Sequence, residues 1–200
     1  MSKSRKRNLV PLDRPKASYD EVNEMIKRLC PKPMNFWPIY IVAIRGYYRD
    51  SMGDKWVNDR GIYDDAIFIL DHAAKIRSFN ANTDPSRIRA GWGYAGKKGM
   101  ASLCEGVWMY KVGLHRGRYK ALRQAEAVRV LRDGRGGANY EHRGWFGINI
   151  HKGGVRGTSS LGCQTIPPDQ WPEFIGLVRK LMKENKRKTI PYILVKRKDG

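Results

Sequence analysis

Short β-rich segments separated by turn residues are the feature that most limits what this chain can fold into. Their Val, Ile, Tyr and Phe content is typical of strands, and glycine, proline and aspartate pairs lie between them. No internal repeat relates one segment to another. The pattern predicts a mainly β (α+β) domain, a sandwich or barrel with flanking helices. The predicted strands cover residues 38–44, 63–70, 76–80, 107–114, 145–151 and 189–195.

Two helices are predicted at the ends of this β-rich region. Ser18, with Glu21 three residues later, has the spacing of a capping box at the start of a short helix. Towards the C-terminus, Asp169 is a predicted N-cap and Pro172 falls in the first turn. Apolar residues then recur at spacings of three and four, which predicts one buried helix face.

Composition limits the number of domains and the class of partner. A length of 200 residues fits one domain, and we assign residues 1–17 to a flexible basic tail and residues 18–200 to a single domain. The 39 Lys and Arg against 19 Asp and Glu give a net charge of +20, which attracts polyanions. No apolar run reaches the ~18 residues of a membrane span. The basic start is not followed by the apolar segment of a secretory signal peptide.

The most specific chemical signal lies in residues 145–165, WFGINIHKGGVRGTSSLGCQT. Alternation places His151 at the end of a predicted strand, on the face opposite the apolar residues. Cys163 follows twelve positions later, across one loop. A thiol attacks as its thiolate, and a nearby imidazole takes the proton. Cys163 is therefore the predicted nucleophile and His151 its general base.

The loop between these two residues contains small and hydroxyl side chains. Gly153 allows a sharp turn and a close approach of a ligand to the backbone. Ser159 is predicted to contact substrate. Ser160 is predicted to hold the loop or to assist catalysis. Gly162 leaves the approach to the sulfur open, and the N–H groups of Gly162 and Cys163 are predicted to form an oxyanion hole.

Two further polar residues are predicted to line the same cleft. Asn149 lies on the same strand face as His151 and is expected to orient the substrate or the imidazole. His115 ends another predicted strand and is expected to contact substrate. The other cysteines, Cys30 and Cys104, are interpreted as structural, because an odd number of cysteines gives no disulfide framework.

The same stretch resembles the signature of the L,D-transpeptidase (YkuD-type) catalytic domain, a strand ending in His-Gly, a glycine-containing loop and Ser-x-Gly-Cys. The resemblance extends over residues 145–195, because a helix and a final strand follow. It implies a β-sandwich or barrel with flanking helices, no cofactor, and a Cys163 that attacks a diaminopimelyl carbonyl of a peptidoglycan stem peptide. Thr165 occupies the position of an arginine that shapes the family's substrate pocket. The matching residues are His151, Gly153 (displaced by one), Gly157, Ser160, Gly162 and Cys163.

These observations predict a cysteine-dependent peptidoglycan stem-peptide hydrolase, similar to a bacteriophage endolysin. Such an enzyme stays in the host cytoplasm until it is released to the periplasm and cell wall, and its positive charge holds it on anionic wall polymers. The first alternative is an L,D-transpeptidase that forms or exchanges crosslinks. A non-catalytic binding module with the same fold is another.

Metal-dependent chemistry and nucleic-acid binding are alternatives of another class. Zinc hydrolysis or a magnesium-dependent nuclease would need clustered ligands, although no HExxH or CxxC spacing is present. The charge together with aromatic residues also fits base stacking, so nucleic acid is a possible but less favoured partner. The residues concerned are His115, His142, His151 and Asp133 for zinc, Asp64, Asp65 and Asp84 for magnesium, and Tyr47, Tyr48, Trp56, Trp92 and Tyr94 for stacking.

Overall fold

Eleven strands and two helices make up the described part of the molecule. The structure is a computed structural model that describes residues 8–32, 37–54, 59–91 and 98–197. The helices are α1 (Tyr19–Ile26) and α2 (Trp171–Glu184). The strands are β1 (Ile39–Arg45), β2 (Asp65–Asp71), β3 (Ile76–Ala81), β4 (Ala101–Leu103), β5 (Gly106–His115), β6 (Tyr119–Gln124), β7 (Val128–Arg132), β8 (Tyr140–Gly144), β9 (Ile150–Lys152), β10 (Gln164–Ile166) and β11 (Ile190–Lys196).

Eight of the strands form one curled sheet in the order β10-β9-β6-β5-β11-β1-β2-β3. The pairs β1–β11 and β9–β10 are parallel, and the other pairs are antiparallel. At the two edges, Asn82 and Thr165 exchange backbone hydrogen bonds of 2.9 and 2.8 Å. The sheet is therefore nearly closed, which confirms the prediction of a mainly β domain.

The main core fills the inside of this sheet. Helix α2 packs into it through an apolar face that includes Phe174, whose ring meets Phe79 edge-on at 5.3 Å. A second sheet of three strands, β4-β7-β8, contributes Leu103 and Val130 to the same core. β11 lies in the middle of the large sheet, and Pro191 is at the start of this strand. A missing N–H is tolerated at the start of a strand.

A second core lies between α1 and the outer face of β1, β2 and β11. Val22 and Ile26 of the helix pack there against strand residues such as Phe68. The capping box is confirmed, because the Glu21 N–H donates to Ser18 Oγ at 3.2 Å and the Ser18 N–H donates to the Glu21 carboxylate at 2.7 Å. None of the helices in the described ranges is long and apolar enough to span a membrane.

The segment before α1 lies against the domain. The Tyr63 N–H donates to the Leu9 carbonyl at 2.8 Å, and Arg14 pairs with Glu173 at 2.7 Å. The hydroxyls of Tyr47 and Tyr48 donate to carbonyls of this segment at 2.9 Å each. The part of the predicted tail that the structure describes, residues 8–17, therefore does not extend away from the domain. Residues 1–7 fall outside the described residues.

Two local predictions were wrong. The strand predicted over residues 145–151 is extended only from Ile150, because Gly147 has φ +69° and the backbone before it turns. The side chain of Gln124 replaces a partner strand there, since its Oε1 accepts hydrogen bonds from two N–H groups of the turn at 3.1 and 3.2 Å. The N-cap of α2 is Gln170 rather than Asp169, and it makes no side-chain capping bond.

Three carboxyl groups are buried next to the ends of β1 and β2. Asp65 accepts hydrogen bonds from Gly46 N, Thr83 N and Thr83 Oγ1 at 2.5–2.8 Å. Asp84 pairs with Arg45 at 3.1 Å. Asp64 accepts from the Asp59 N–H at 2.8 Å through one oxygen, while its other oxygen is buried without a partner. The carboxyl of Asp64 is thus the least satisfied of the three.

Replacing this carboxyl is expected to stabilise the protein in a pH-dependent manner. Burial and the neighbouring Asp65 carboxylate raise the pKa of Asp64. The folded protein then holds a proton that the unfolded chain releases above about pH 4, so the group's contribution to stability declines as pH rises. Asp64→Asn should raise Tm more at pH 8 than at pH 5. Thermal unfolding checks this against the exposed-site control Asp169→Asn, and an equal gain at both pH values would contradict the prediction.

Candidate active site

Parallel pairing of β9 and β10 brings His151 and Cys163 to the same region. His151 pairs with Thr165 in the register, so Cys163, which immediately precedes β10, lies opposite Asn149. The Gln164 N–H donates to the Asn149 carbonyl at 2.8 Å and continues the pairing. Since alternate residues share a face, the side chains of Asn149, His151 and Cys163 lie on one side of the sheet. The prediction that one loop returns the cysteine to the histidine strand is consistent with this arrangement.

A main-chain carbonyl sets the proton position on the His151 imidazole. Its Nδ1 lies 2.7 Å from the Lys152 carbonyl oxygen, which only accepts hydrogen bonds. Nδ1 therefore carries the hydrogen, and Nε2 of the neutral ring is left as the proton acceptor. The Tyr119 hydroxyl lies 3.4 Å from the same Nδ1. The unprotonated Nε2 is therefore the atom of this ring that can accept a proton.

His115 stacks on His151 but holds the opposite tautomer. The two ring centroids are 4.1 Å apart with an interplanar angle of 28°. Asn149 Nδ2 lies 3.3 Å from His115 Nδ1, and Asn149 Oδ1 accepts from the Gln124 N–H at 3.4 Å, which fixes the amide orientation. His115 Nδ1 is therefore an acceptor, and its hydrogen is on Nε2. The predicted proximity of Asn149 and His115 to His151 is present.

Both imidazoles are neutral at physiological pH. Burial, with smaller effects of the nearby His115 and Arg116, lowers the pKa of His151 to about 4, although the hydrogen bond to the Lys152 carbonyl partly opposes this. Burial, followed by the charge of Arg116, also lowers the pKa of His115. A neutral His151 is able to receive a proton.

The Cys163 thiol is held by backbone groups. Sγ donates to the Gly147 carbonyl and accepts from the Asn149 N–H, both at 3.4 Å. Burial raises the pKa of Cys163, although the Asn149 N–H and the charge of Arg116 partly oppose this. Within the described residues, Sγ makes no hydrogen bond to an imidazole nitrogen. The resting group is therefore a thiol rather than a thiolate paired with imidazolium.

Ser160 fixes the loop that carries Cys163. Its hydroxyl donates to the Cys163 carbonyl at 2.6 Å and accepts from the Gly162 N–H at 2.9 Å. Ser86 holds Ser160 in turn, with one hydrogen bond of 2.7 Å and one of 2.9 Å. The Gly162 N–H is thus engaged, so it is not free for the predicted oxyanion hole. Among the described groups, the Cys163 N–H has no partner and remains as the available donor.

The other predicted substrate contacts fall in different environments. Thr165 has no exposed surface, and its backbone joins the sheet edges at Asn82 instead of lining the cleft. Gly153 is also buried, and a Cβ there would lie 2.0 Å from the Tyr63 hydroxyl. Ser159 is exposed in a left-handed conformation with φ +56°. Of these three, Ser159 is the one positioned to meet a ligand.

Exposed apolar and basic side chains surround the site. Leu161 and Val155 lie on the loop between His151 and Cys163 and are 57% and 77% exposed. Trp145, two residues before Gly147, is 65% exposed. Lys152 and Arg156 are exposed cations on the same loop, and Arg116 is an exposed cation on the turn between β5 and β6, next to His115. The rim therefore suits a ligand that has both apolar and anionic groups.

The alternative residue sets are not assembled in the same way. Asp133 pairs with Arg60 at 2.7 Å, and His142 Nδ1 accepts from Arg132 at 3.0 Å, so neither joins the two stacked histidines. No group of three or more His, Cys, Asp or Glu in the described ranges is arranged to hold a metal ion. Tyr47 and Tyr48 hold the N-terminal segment. The remaining predicted stacking residues, Trp56, Trp92 and Tyr94, lie outside the described residues.

Two contributors to the site were not predicted from the sequence. Tyr119 reaches His151 because the β5–β6 hairpin pairs it with His115. Gln124 is buried and donates to the carbonyls of Glu126 and Gly144 at 2.8 and 2.9 Å, besides accepting from the turn before β9. Its signal in the sequence is a polar residue two positions after Leu122, where the alternation expects an apolar one.

No protein-family model, curated protein or solved structure matches this chain.

The conformation of Gly162 is expected to be essential for the cysteine loop. Its φ is +142°, and a Cβ would lie 2.4 Å from the Ala101 carbonyl oxygen. Gly162→Ala should therefore cost about 1–3 kcal/mol in stability, lower Tm by several degrees and change the alkylation rate of Cys163. Gly157→Ala is the matched control, since nothing lies within 4 Å of a Cβ there. Equal effects of the two substitutions on Tm and alkylation would refute this role.

Proposed function

We propose that the protein is a cysteine-dependent hydrolase of peptidoglycan stem peptides that acts through a thioacyl-enzyme. The observation that carries this proposal is the bond between His151 Nδ1 and the Lys152 carbonyl, which leaves Nε2 as a base on the strand beside Cys163. The order of His151, Ser160, Gly162 and Cys163 adds the resemblance to L,D-transpeptidases. The mainly β fold with flanking helices is compatible with that family.

In the first step, Cys163 Sγ leaves the Gly147 carbonyl and gives its proton to His151 Nε2. The sulfur bonds to the carbonyl carbon of a diaminopimelyl residue, and a tetrahedral oxyanion forms. The Cys163 N–H and the Nε2–H of His115 are the proposed donors to this oxyanion. When the intermediate collapses, the C–N bond breaks and His151 returns the proton to the leaving amine.

In the second step, water replaces the amine. His151 takes a proton from water, whose oxygen attacks the thioester carbon, and the C–S bond then breaks to release a carboxylic acid and restore the thiol. A transpeptidase must hold an acceptor amine and keep water away, whereas a hydrolase needs only water access. Cys163 is partly open to solvent, and the neighbouring Leu161 is exposed, which favours hydrolysis over transfer.

The surroundings of the site suit a stem peptide. Diaminopimelate and the acidic residue of the stem provide carboxylates, which Arg116, Lys152 and Arg156 attract. The apolar rim at Val155 and Leu161 provides contacts for the alanyl methyl groups. The net charge of +20 supports retention on anionic wall polymers. We propose that the enzyme reaches the periplasm and cell wall from the host cytoplasm at lysis, as an endolysin does.

The central test is cleavage of purified peptidoglycan in oxygen-18 water, followed by mass spectrometry. The wild-type protein should place the label in newly freed carboxylates, with shortened stems or lost crosslinks. Cys163→Ala should abolish this release while its thermal unfolding stays close to that of the wild type, because the nucleophile is removed without a large change in packing.

Cys30→Ala and Cys104→Ala are the controls, since both cysteines lie away from the site and should leave turnover largely intact. Full turnover in Cys163→Ala would disprove the proposed nucleophile. Unlabelled new crosslinks, or exchange of the terminal D-amino acid, would assign transpeptidation instead. Turnover that requires an added metal ion would also contradict the mechanism.

The acid limb of kcat/KM is expected near pH 4. This limb reports the free enzyme's base, and burial lowers the pKa of His151 to about 4. The base loses its function as pH falls through that value, whereas an ordinary histidine would lose it near pH 6.5. Rates on a soluble stem peptide from pH 3.5 to 7 check this, with circular dichroism to follow folding. An acid limb at pH 6–7 in the wild-type protein would exclude the buried neutral base.

His151→Ala should lose ~10²–10⁴-fold in rate.

A further inference from the structure

A separate cavity of about 640 Å³ lies at the end of the large sheet. Its walls are the C-terminal ends of β1 and β11 on one side and strands β4, β7 and β8 on the other. The volume falls within the range of about 300–1,000 Å³ that is typical of small-molecule sites. None of the residues that line it belongs to the Cys163 site. The cavity is thus a second concave site in the domain.

Positive charge dominates the wall of this cavity. Six Lys and Arg residues face three carboxylates, and two of these cations are paired with carboxylates just outside the lining, Arg60 with Asp133 and Arg197 with Asp50. Arginine is the residue best suited to bind phosphate or carboxylate oxygens through two parallel hydrogen bonds. The cations are Arg45, Arg49, Arg60, Arg129, Lys196 and Arg197, and the carboxylates are Asp84, Glu105 and Glu141.

Two cations of the wall have no close carboxylate partner. Asp84 pairs with Arg45 at 3.1 Å, and Glu105 pairs with Arg28, which lies outside the lining, at 2.8 Å. The Arg129 guanidinium lies 3.9 Å from the Glu141 carboxylate, between exposed groups, and also interacts with the Cys104 side chain. In the described ranges, no carboxylate lies within 4.0 Å of the Lys196 ammonium. Arg129 and Lys196 therefore retain charge that a ligand can neutralise.

We propose that this cavity binds a small molecule that carries a phosphate group. A phosphomonoester has a charge of about −1.5 to −2 near neutral pH, so one phosphate matches the two positive charges of Arg129 and Lys196. The concave shape favours a compact anion over an extended polymer. Cys104 lies in the wall, so a bound anion would cover its thiol.

Protection of Cys104 from alkylation tests this proposal, with inorganic phosphate as the probe. The neutral reagent iodoacetamide is used at pH 8.5 and constant ionic strength, because burial raises the pKa of Cys104. Peptide mass spectrometry follows all three cysteines, so that Cys30 and Cys163 are internal references. Inorganic phosphate should slow the alkylation of Cys104 at least threefold in a saturable manner and leave Cys163 unaffected. Calorimetry should give the same affinity.

Lys196→Gln should weaken this protection at least fivefold. The control Lys111→Gln removes the same charge from an exposed position on β5 and should not weaken it. Equal slowing of Cys104 and Cys163, or equal protection in the two variants, would overturn the proposal, because the anion would then act through the general charge. Stronger protection by single-stranded DNA at equal phosphate concentration would assign the surface to nucleic acid instead. Protection only by vesicles with anionic headgroups would assign it to lipid. Each of these results would also exclude a free phosphate ligand.

Discussion

Closure of the large sheet through Asn82 and Thr165 holds the short strand β10, next to which Cys163 lies. β10 has only three residues and pairs with β9 on one side, so its other side would be an open edge. The two backbone hydrogen bonds to Asn82 hold that edge against the end of β3. Cys163 directly precedes β10, so its position relative to His151 depends on the β9–β10 pairing, which this closure supports from the other side. Thr165 is buried where the two edges of the sheet meet. A threonine fits this position because its side chain does not need contact with water.

The two histidines illustrate how similar side chains acquire different roles from their partners. A carbonyl next to one ring and an amide N–H next to the other place the ring hydrogens on opposite nitrogens. Stacking holds the two rings at a fixed angle to each other, and burial keeps both imidazoles neutral. The geometry therefore provides one proton acceptor and one hydrogen-bond donor within a single buried pair. Tyr119 and Asn149 extend this network towards the surrounding strands.

Local patterns predicted those parts of the fold that are determined locally. The capping box at Ser18, the β-rich run of β1 and the apolar face of α2 depend on near neighbours, and each is present in the structure. The segment before His151 has the apolar alternation that is typical of a strand. It was mispredicted because its hydrogen bonds go to the side chain of Gln124, more than twenty residues earlier. Nothing in the local sequence specifies that partner.

The same distinction applies to the candidate site. His151 and Cys163 were identified from their order and spacing, since residue type and loop composition carry the chemistry. Ser160 was expected to hold the loop or to assist catalysis, and its hydrogen bond with the Gly162 N–H could be recognised only from the three-dimensional contacts. The stacking of His115 on His151 depends on the pairing of β5, β6 and β9, which no spacing in the sequence encodes.

The carbonyl that orients His151 belongs to the main chain of residue 152, and every amino acid has one. Substitution at this position changes the side chain without removing the acceptor. Lys152 is exposed, so drift there is free to alter the charge beside the site while the tautomer of the base is preserved. In the proposed mechanism, the charge that attracts a ligand can thus change while the orientation of the base stays the same.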